Sequence, residues 1–352
     1  MTQAGEAVVS APPLQRGRVP LRTWVARGLL AGVAVFTVVW ICFASSNAAI
    51  KEPQLFVIIT MNGLTLAGLY FVVASGFTLI FGLMRVVDMA HGSLYMLGGF
   101  FAFELQQTFT ENDSQSGFGA WILAAVIASL AIAVIGLFMQ QAFLRWNQGQ
   151  ELRQALITIA ISIIIADQTL AHFGGVADEI VAPDVFPESV NLGVYGITYG
   201  FFRIFVLAVA VAVGLILWAV IKRTRFGMIV RAGVDDRQMV SALGINIQVI
   251  FAAGFFIGAL LAGLGGVLGG TMISVDKGND TTYLLFSLIV VIIGGMGSLA
   301  GATVGALLLG LVDSFGDVYL PSGYENYSPL LIFGLLVFVL AVRPYGLFGR
   351  PA

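Results

Sequence analysis

The sequence predicts an all-α protein, a polytopic transmembrane helical bundle with about 8–10 membrane-crossing segments. Three observations carry this. Hydrophobic residues make up 59% of the 352 and charged residues only 10%, against about 25% charged in soluble domains. Mean hydropathy is +0.96. Apolar runs of the length needed to cross about 30 Å of hydrocarbon recur along the chain. So few charges cannot cover a water-soluble surface, and lipid must solvate much of the chain.

Ten runs can be read: 28–49, 54–84, 94–109, 119–141, 154–172, 200–221, 247–274, 282–296, 299–316 and 328–343. The second is too long for one straight span and is expected to be broken or tilted. The pair 282–296 and 299–316 is joined only by Met296-Gly297-Ser298, so a re-entrant hairpin is an alternative there. Residues 1–27 read as a cytoplasmic tail, and 28–49 as a retained first span. The transmembrane domain then runs over 28–351.

Charge orients the bundle. With the N-terminus inside, Arg16, Arg18, Arg22, Arg27, Arg85, Arg145, Arg153, Lys222, Arg223, Arg225, Arg231, Arg237, Arg343 and Arg350 fall on the cytoplasmic side. Only Lys51, Arg203 and Lys277 fall outside. The positive-inside rule expects this skew, with both termini in the cytoplasm. The long outer loop 173–199 holds Asp178, Glu179, Asp184 and Glu188 and no Lys or Arg, and is expected to be irregular.

Composition also excludes. A net charge of −2 gives no footing for nucleic acid. The single cysteine, Cys42, allows no intrachain disulfide and no cysteine-built metal site; two histidines, His91 and His172, are too few for a histidine-built one. There is no Gly-Lys dipeptide, hence no phosphate loop of the Walker type. No cofactor and no catalytic activity are expected.

The 43 glycines gather in the apolar runs. Gly266 with Gly270 and Gly301 with Gly305 form GxxxG patterns, which let helices approach closely in lipid. Such contacts serve tight packing or a gate where helices slide. A faint internal likeness joins Gly82-Leu83-Met84, a turn and Gly98-Gly99 to Gly294–Gly297, a turn, Gly301 and Gly305.

Three segments carry the chemistry. In the first, Asn62-Gly63 opens a run that reaches Asp88-Met89-Ala90-His91-Gly92-Ser93-Leu94-Tyr95-Met96-Leu97-Gly98. Asp88 can cap the helix that follows. His91 stands one turn away, within its reach, and Gly92 admits another backbone. Asn62, Thr65, Ser75 and Thr78 recur along the second run; they line a polar path or bond their own helix. Asp167, beside Gln168 near the outer end of the fifth run, is an intramembrane acid and so a candidate for function or pairing.

The second segment is the connector 222–246. It suits a short helix from about Gly227 to Leu243, ended by Gly244. It is a solvated link or a docking element. The third runs through Gly294-Gly295-Met296-Gly297-Ser298-Leu299-Ala300-Gly301.

These segments resemble, in order, the first permease of the branched-chain amino acid ABC importers. The likeness includes the ending Arg343-Pro344-Tyr345-Gly346-Leu347-Phe348-Gly349 and covers about residues 54–351. The departures are Asp88 where that family usually has Asn, and Met89 for Phe. The resemblance implies the ABC importer permease fold. It implies that 222–246 is the ATPase-coupling loop, with Arg231, Ala232, Asp235, Asp236, Arg237, Leu243 and Gly244 at the contact. Path or gate candidates are Asn62, Thr65, Thr78, Asp88, His91, Ser93, Asp167, Gly295, Gly297 and Ser298.

Implied partners are a second permease subunit or an identical copy, two ABC ATPase subunits, and a periplasmic or lipid-anchored solute-binding protein, in the lipid of the bacterial inner membrane. Two alternatives stay open: a urea or short-amide permease of the same family, and a stand-alone channel or secondary carrier.

Overall fold

The computed structural model describes residues 53–110, 117–191, 193, 196–235, 239–240, 243–320 and 327–349. The tail 1–27, the run 28–49, Asp236 and Arg237 lie outside these residues, as does the side chain of Asp235. Every apolar run read from residue 54 onward forms one helix: α1 Pro53–Met84, α2 His91–Thr110, α3 Phe118–Met139, α4 Glu151–Phe173, α5 Phe201–Arg223, then α7 Ile247–Met272, α8 Asn279–Gly294, α9 Leu299–Tyr319 and α10 Ser328–Val342. Between α5 and α7 lies α6, Arg225–Asp235. By length and composition, six stretches among the described residues can cross a membrane: α1, α3 with its continuation to Asn147, α4, α5, α7 and α9. Helices α8 and α10 are apolar but shorter.

The long second run is unbroken. Helix α1 has 32 residues, about 48 Å at 1.5 Å per residue, more than a hydrocarbon core needs. Its only proline, Pro53, sits at the first helical position, where no N–H is missed. The helix stops at Arg85, which adopts φ 55°.

Helix α1 is also the most enclosed span, and glycine contacts set its crossings. At the crossing with α7, a Cβ on Gly76 would lie 2.6 Å from the Gly258 carbonyl oxygen. At the crossing with α9, a Cβ on Gly310 would lie 2.6 Å from the Gly63 carbonyl oxygen. Backbones meet directly there, which is how helices gain dispersion contacts in a solvent as apolar as themselves. Both expected GxxxG patterns pack this way: Gly266 faces the Tyr95 carbonyl, and Gly305 faces that of Val290. Around these crossings Leu69, Val72, Val73, Ala74 and Phe77 of α1 fill the core. Large apolar side chains on α4 and α5, such as Ile163, Ile164, Leu215 and Ile216, stay exposed, as a lipid-facing wall requires.

Consecutive spans reverse direction, giving the bundle two ends. One carries Met84, α6 and Gly297 and is called the connector end; the other carries 174–200 and is called the loop end. Of the ten basic residues described, Arg85, Arg145, Arg153, Lys222, Arg223, Arg225, Arg231 and Arg343 are at the connector end, and only Arg203 and Lys277 at the loop end.

The loop 173–199 is more ordered than expected. Strands β1 Ser189–Asn191 and β2 Thr198–Gly200 pair antiparallel. Asp178 bridges Val275, and Ile180 is buried with its N–H on the Gly270 carbonyl at 3.1 Å. Gln106 closes the arrangement, donating to the Val181 carbonyl (2.7 Å) and accepting from its N–H (2.9 Å). Once Ile180 is buried its backbone must find partners, so the segment cannot remain a loose solvated link.

Candidate functional site

The turn between α1 and α2 is built as a buried polar knot. Asp88 Oδ1 accepts from the Ala90 N–H at 3.1 Å, so the expected cap is present. The Met89 N–H donates to Thr158 Oγ1 at 3.1 Å. Ser93 Oγ and Ser162 Oγ are 2.7 Å apart. These bonds tie the turn to α4. Burial pushes the Asp88 carboxyl up to about 7, with the Ala90 N–H pulling the other way.

The His91 N–H donates to the Asp88 carbonyl at 3.3 Å, but its imidazole does not reach the Asp88 carboxylate. Its Nε2 lies 3.0 Å from the Val73 carbonyl, and its ring meets Phe77 edge to face at 5.5 Å. Asp88 Oδ2 and His91 Nδ1 are buried and have no hydrogen-bond partner among the described residues. The helix start turns the imidazole onto α1 instead. Gly92 admits a neighbour as expected: the Asp280 carbonyl occupies the space of its missing Cβ.

The glycine turn closes the connector end. Gly295 and Gly297 have φ 98° and 82°, and the Ser298 hydroxyl caps α9 by accepting from Gly301 N–H at 3.1 Å. A Cβ on Gly82 would lie 3.2 Å from the Gly297 Cα. The two segments that looked alike in sequence thus touch. Beneath them, Leu347 and Phe348 donate N–H groups to the Ile293 and Gly294 carbonyls at 2.8 and 3.0 Å. This C-terminal strap satisfies carbonyls that a helix end leaves open.

In the connector, helix starts at Arg225, two residues earlier than expected, and is described through Asp235. Met239 and Val240 are helical again, and Gly244 has φ 80°, the expected stop. Val230 is buried in one cluster with Leu83 and Met84 of α1 and Phe251 and Phe255 of α7. Met228, Arg231, Ala232, Met239, Leu243 and Gly244 are exposed. One face therefore rests on the span ends, and the other, basic and apolar, is open.

The model of the family described as "Branched-chain amino acid transport system / permease component" matches residues 59–340. The chain belongs to this permease family. Among curated proteins it is 31% identical over 248 residues to the high-affinity branched-chain amino acid transport system permease protein BraD of Pseudomonas aeruginosa, covering 69% of this chain and 80% of that one. It is 29% identical over 252 residues to LivH of Escherichia coli, covering 68% and 79%. The LivH protein of Salmonella typhimurium is also 29% identical over 252 residues.

In this permease the remaining expected path residues separate. The Asn62 Oδ1 accepts from Arg203 of α5. Thr65 bonds the Met61 carbonyl and lies 3.0 Å from Tyr199 Oη. Ser75 and Thr78 turn their hydroxyls onto the Val72 and Ala74 carbonyls of their own helix, which leaves little for a passing solute. Asp167 is exposed on α4, away from the bundle interior.

Sequence reading missed a second intramembrane acid. Tyr70 of α1 donates to Asp313 Oδ2 of α9 at 2.6 Å. The signal was present, an aspartate inside the run 299–316, but its tyrosine partner lies 243 residues away.

Proposed function

We propose that this permease component carries branched-chain or other small amino acids across the bacterial inner membrane as part of an ATP-driven importer. The observation that carries the reading is the connector. Outside the spans, α6 is seated on the ends of α1 and α7 while its other face stays open. A chain with no phosphate loop of its own needs such a surface to receive work from separate ATPase subunits. The relatives' names supply the solute class.

In this reading 222–246 is the coupling loop, with Arg231, Ala232, Asp235, Asp236, Arg237, Leu243 and Gly244 at the contact. The connector end faces the cytoplasm, and the basic residues gathered there support this. A second permease subunit or an identical copy, two ATPases and an external binding protein complete the importer. ATP favours one arrangement of the ATPase pair, and α6 passes that bias to α1 and α7.

Uptake of radiolabelled leucine into proteoliposomes tests the proposal. Uptake should require the ATPase subunits, internal ATP and the binding protein. Equal uptake by this chain alone, without ATP, would establish the stand-alone carrier instead. Uptake of urea but not leucine would establish the amide reading.

A further inference from the structure

Helices α1, α2, α8 and α9 converge on an aromatic cluster in the middle of the bundle. Tyr70, near the midpoint of α1, meets Phe286 of α8 at 5.1 Å and Tyr283 at 6.1 Å, both edge to face. Tyr283 in turn stacks on Tyr95 of α2 at 3.9 Å. Asp313 closes the loop-end side of this cluster through its bond from Tyr70.

Two features set Asp313 apart from a packing residue. A carboxylate within a span is costly, and such groups are kept where they face a cavity or partner. Tyr70 satisfies Oδ2, yet among the described residues no Lys or Arg pairs with the carboxylate. The side chain is also only half-buried, and Asp317, one turn nearer the loop end, is exposed. The carboxyl group is therefore partly open, with an exposed acid one turn nearer the loop end, while its tyrosine partner is sealed in the core.

We propose that Asp313, held by Tyr70 at the edge of this aromatic cluster, is an intramembrane site for the ammonium group of the transported amino acid. The carboxylate supplies the counter-charge that an ammonium group needs inside a span. The site rests on the amino-acid reading above and adds to it a position inside the permease where the solute pauses. A tyrosine hydrogen bond orients the carboxylate so that its remaining oxygen meets the solute.

The experiment uses the assembled permease–ATPase complex, once wild type has been shown to import leucine with its binding protein. Failure at that first step would count against the transport function, not against the site. Radiolabelled leucine is then bound to the complex with no binding protein present. Isoamylamine, which keeps the ammonium group, should displace it; isocaproate, which keeps only the carboxylate, should not. Asp313→Asn should weaken leucine binding and raise the KM of uptake by about tenfold or more, in a complex that still assembles with its ATPase subunits.

Tyr70→Phe keeps the carboxylate but frees it, and should raise KM several-fold. It decides the matter if Asp313→Asn fails to assemble. Unchanged KM in assembled variants, or displacement by isocaproate alone, would overturn the site and leave a structural pin between α1 and α9. Leucine import by a wild-type complex that binds no leucine without its binding protein would overturn it too.

Discussion

The Leu347 N–H donates to the Ile293 carbonyl at 2.8 Å, so the C-terminal strap closes the end of α8 at the connector end. Phe348 does the same for Gly294. The strap thereby holds the glycine turn against Gly82, where the two likened segments meet.

Leu347→Pro removes that donor and leaves a buried carbonyl without its partner. It should destabilise the protein by about 1–3 kcal/mol. Leu347→Ala, which keeps the N–H, should cost less. Thermal unfolding of the purified protein in detergent compares them.

The α1–α7 crossing has no room for a methyl group. Gly76→Ala would press its Cβ to 2.6 Å from a backbone oxygen, whereas nothing lies within 4 Å of a Cβ on Gly119. Gly76→Ala should cost about 1–3 kcal/mol through overpacking. Gly119→Ala, near the start of α3, should be neutral or slightly stabilising. The same unfolding assay reads both.

Asp88 makes stability depend on pH. Its carboxyl is raised from 3.8 to about 7 by burial, so the folded chain holds the proton more tightly than the unfolded one. Its contribution is full below the unfolded value and is lost as pH rises through about 7. Asp88→Asn keeps a capping oxygen and abolishes the titration. The wild-type melting temperature should fall between about pH 5 and pH 8, and the variant's should fall less.

The connector separates coupling from folding. Leu243 is 71% exposed and Gly244 has φ 80°, so neither Leu243→Glu nor Gly244→Ala disturbs the core. Gly244→Ala should cost about 1–2 kcal/mol locally. On the proposed docking, each should uncouple ATP hydrolysis from uptake, as should substitution of Asp235. Transport and ATPase rates in one preparation show whether the two part. Unaltered transport in all three would refute the docking.

What could be read from sequence follows from which interactions are local. Apolar run length is a property of consecutive residues, so each apolar helix from 54 onward was legible, as were the Asp88 cap and the Gly244 stop. The length of α1 was visible, but not that it would stay unbroken, since that depends on neighbours packed along its whole length. Contacts across the bundle were not legible: Tyr70 with Asp313, His91 with Val73, Gln106 with Val181. Each joins side chains to groups on another element, and no spacing rule in one sequence pairs them. The loop 173–199 misled because its acidic, span-free character hid one buried residue, Ile180, whose backbone then had to be ordered.

The most direct test is the sidedness of the connector. In a Cys42→Ser background, single cysteines at Arg231 and at Asp184 are exposed to a membrane-impermeant maleimide in intact spheroplasts. Labelling is expected at position 184 in intact spheroplasts and at position 231 only after permeabilisation. Labelling of position 231 in intact spheroplasts would put α6 on the outer face, beyond the reach of any ATPase, and would rule out its role as the coupling element.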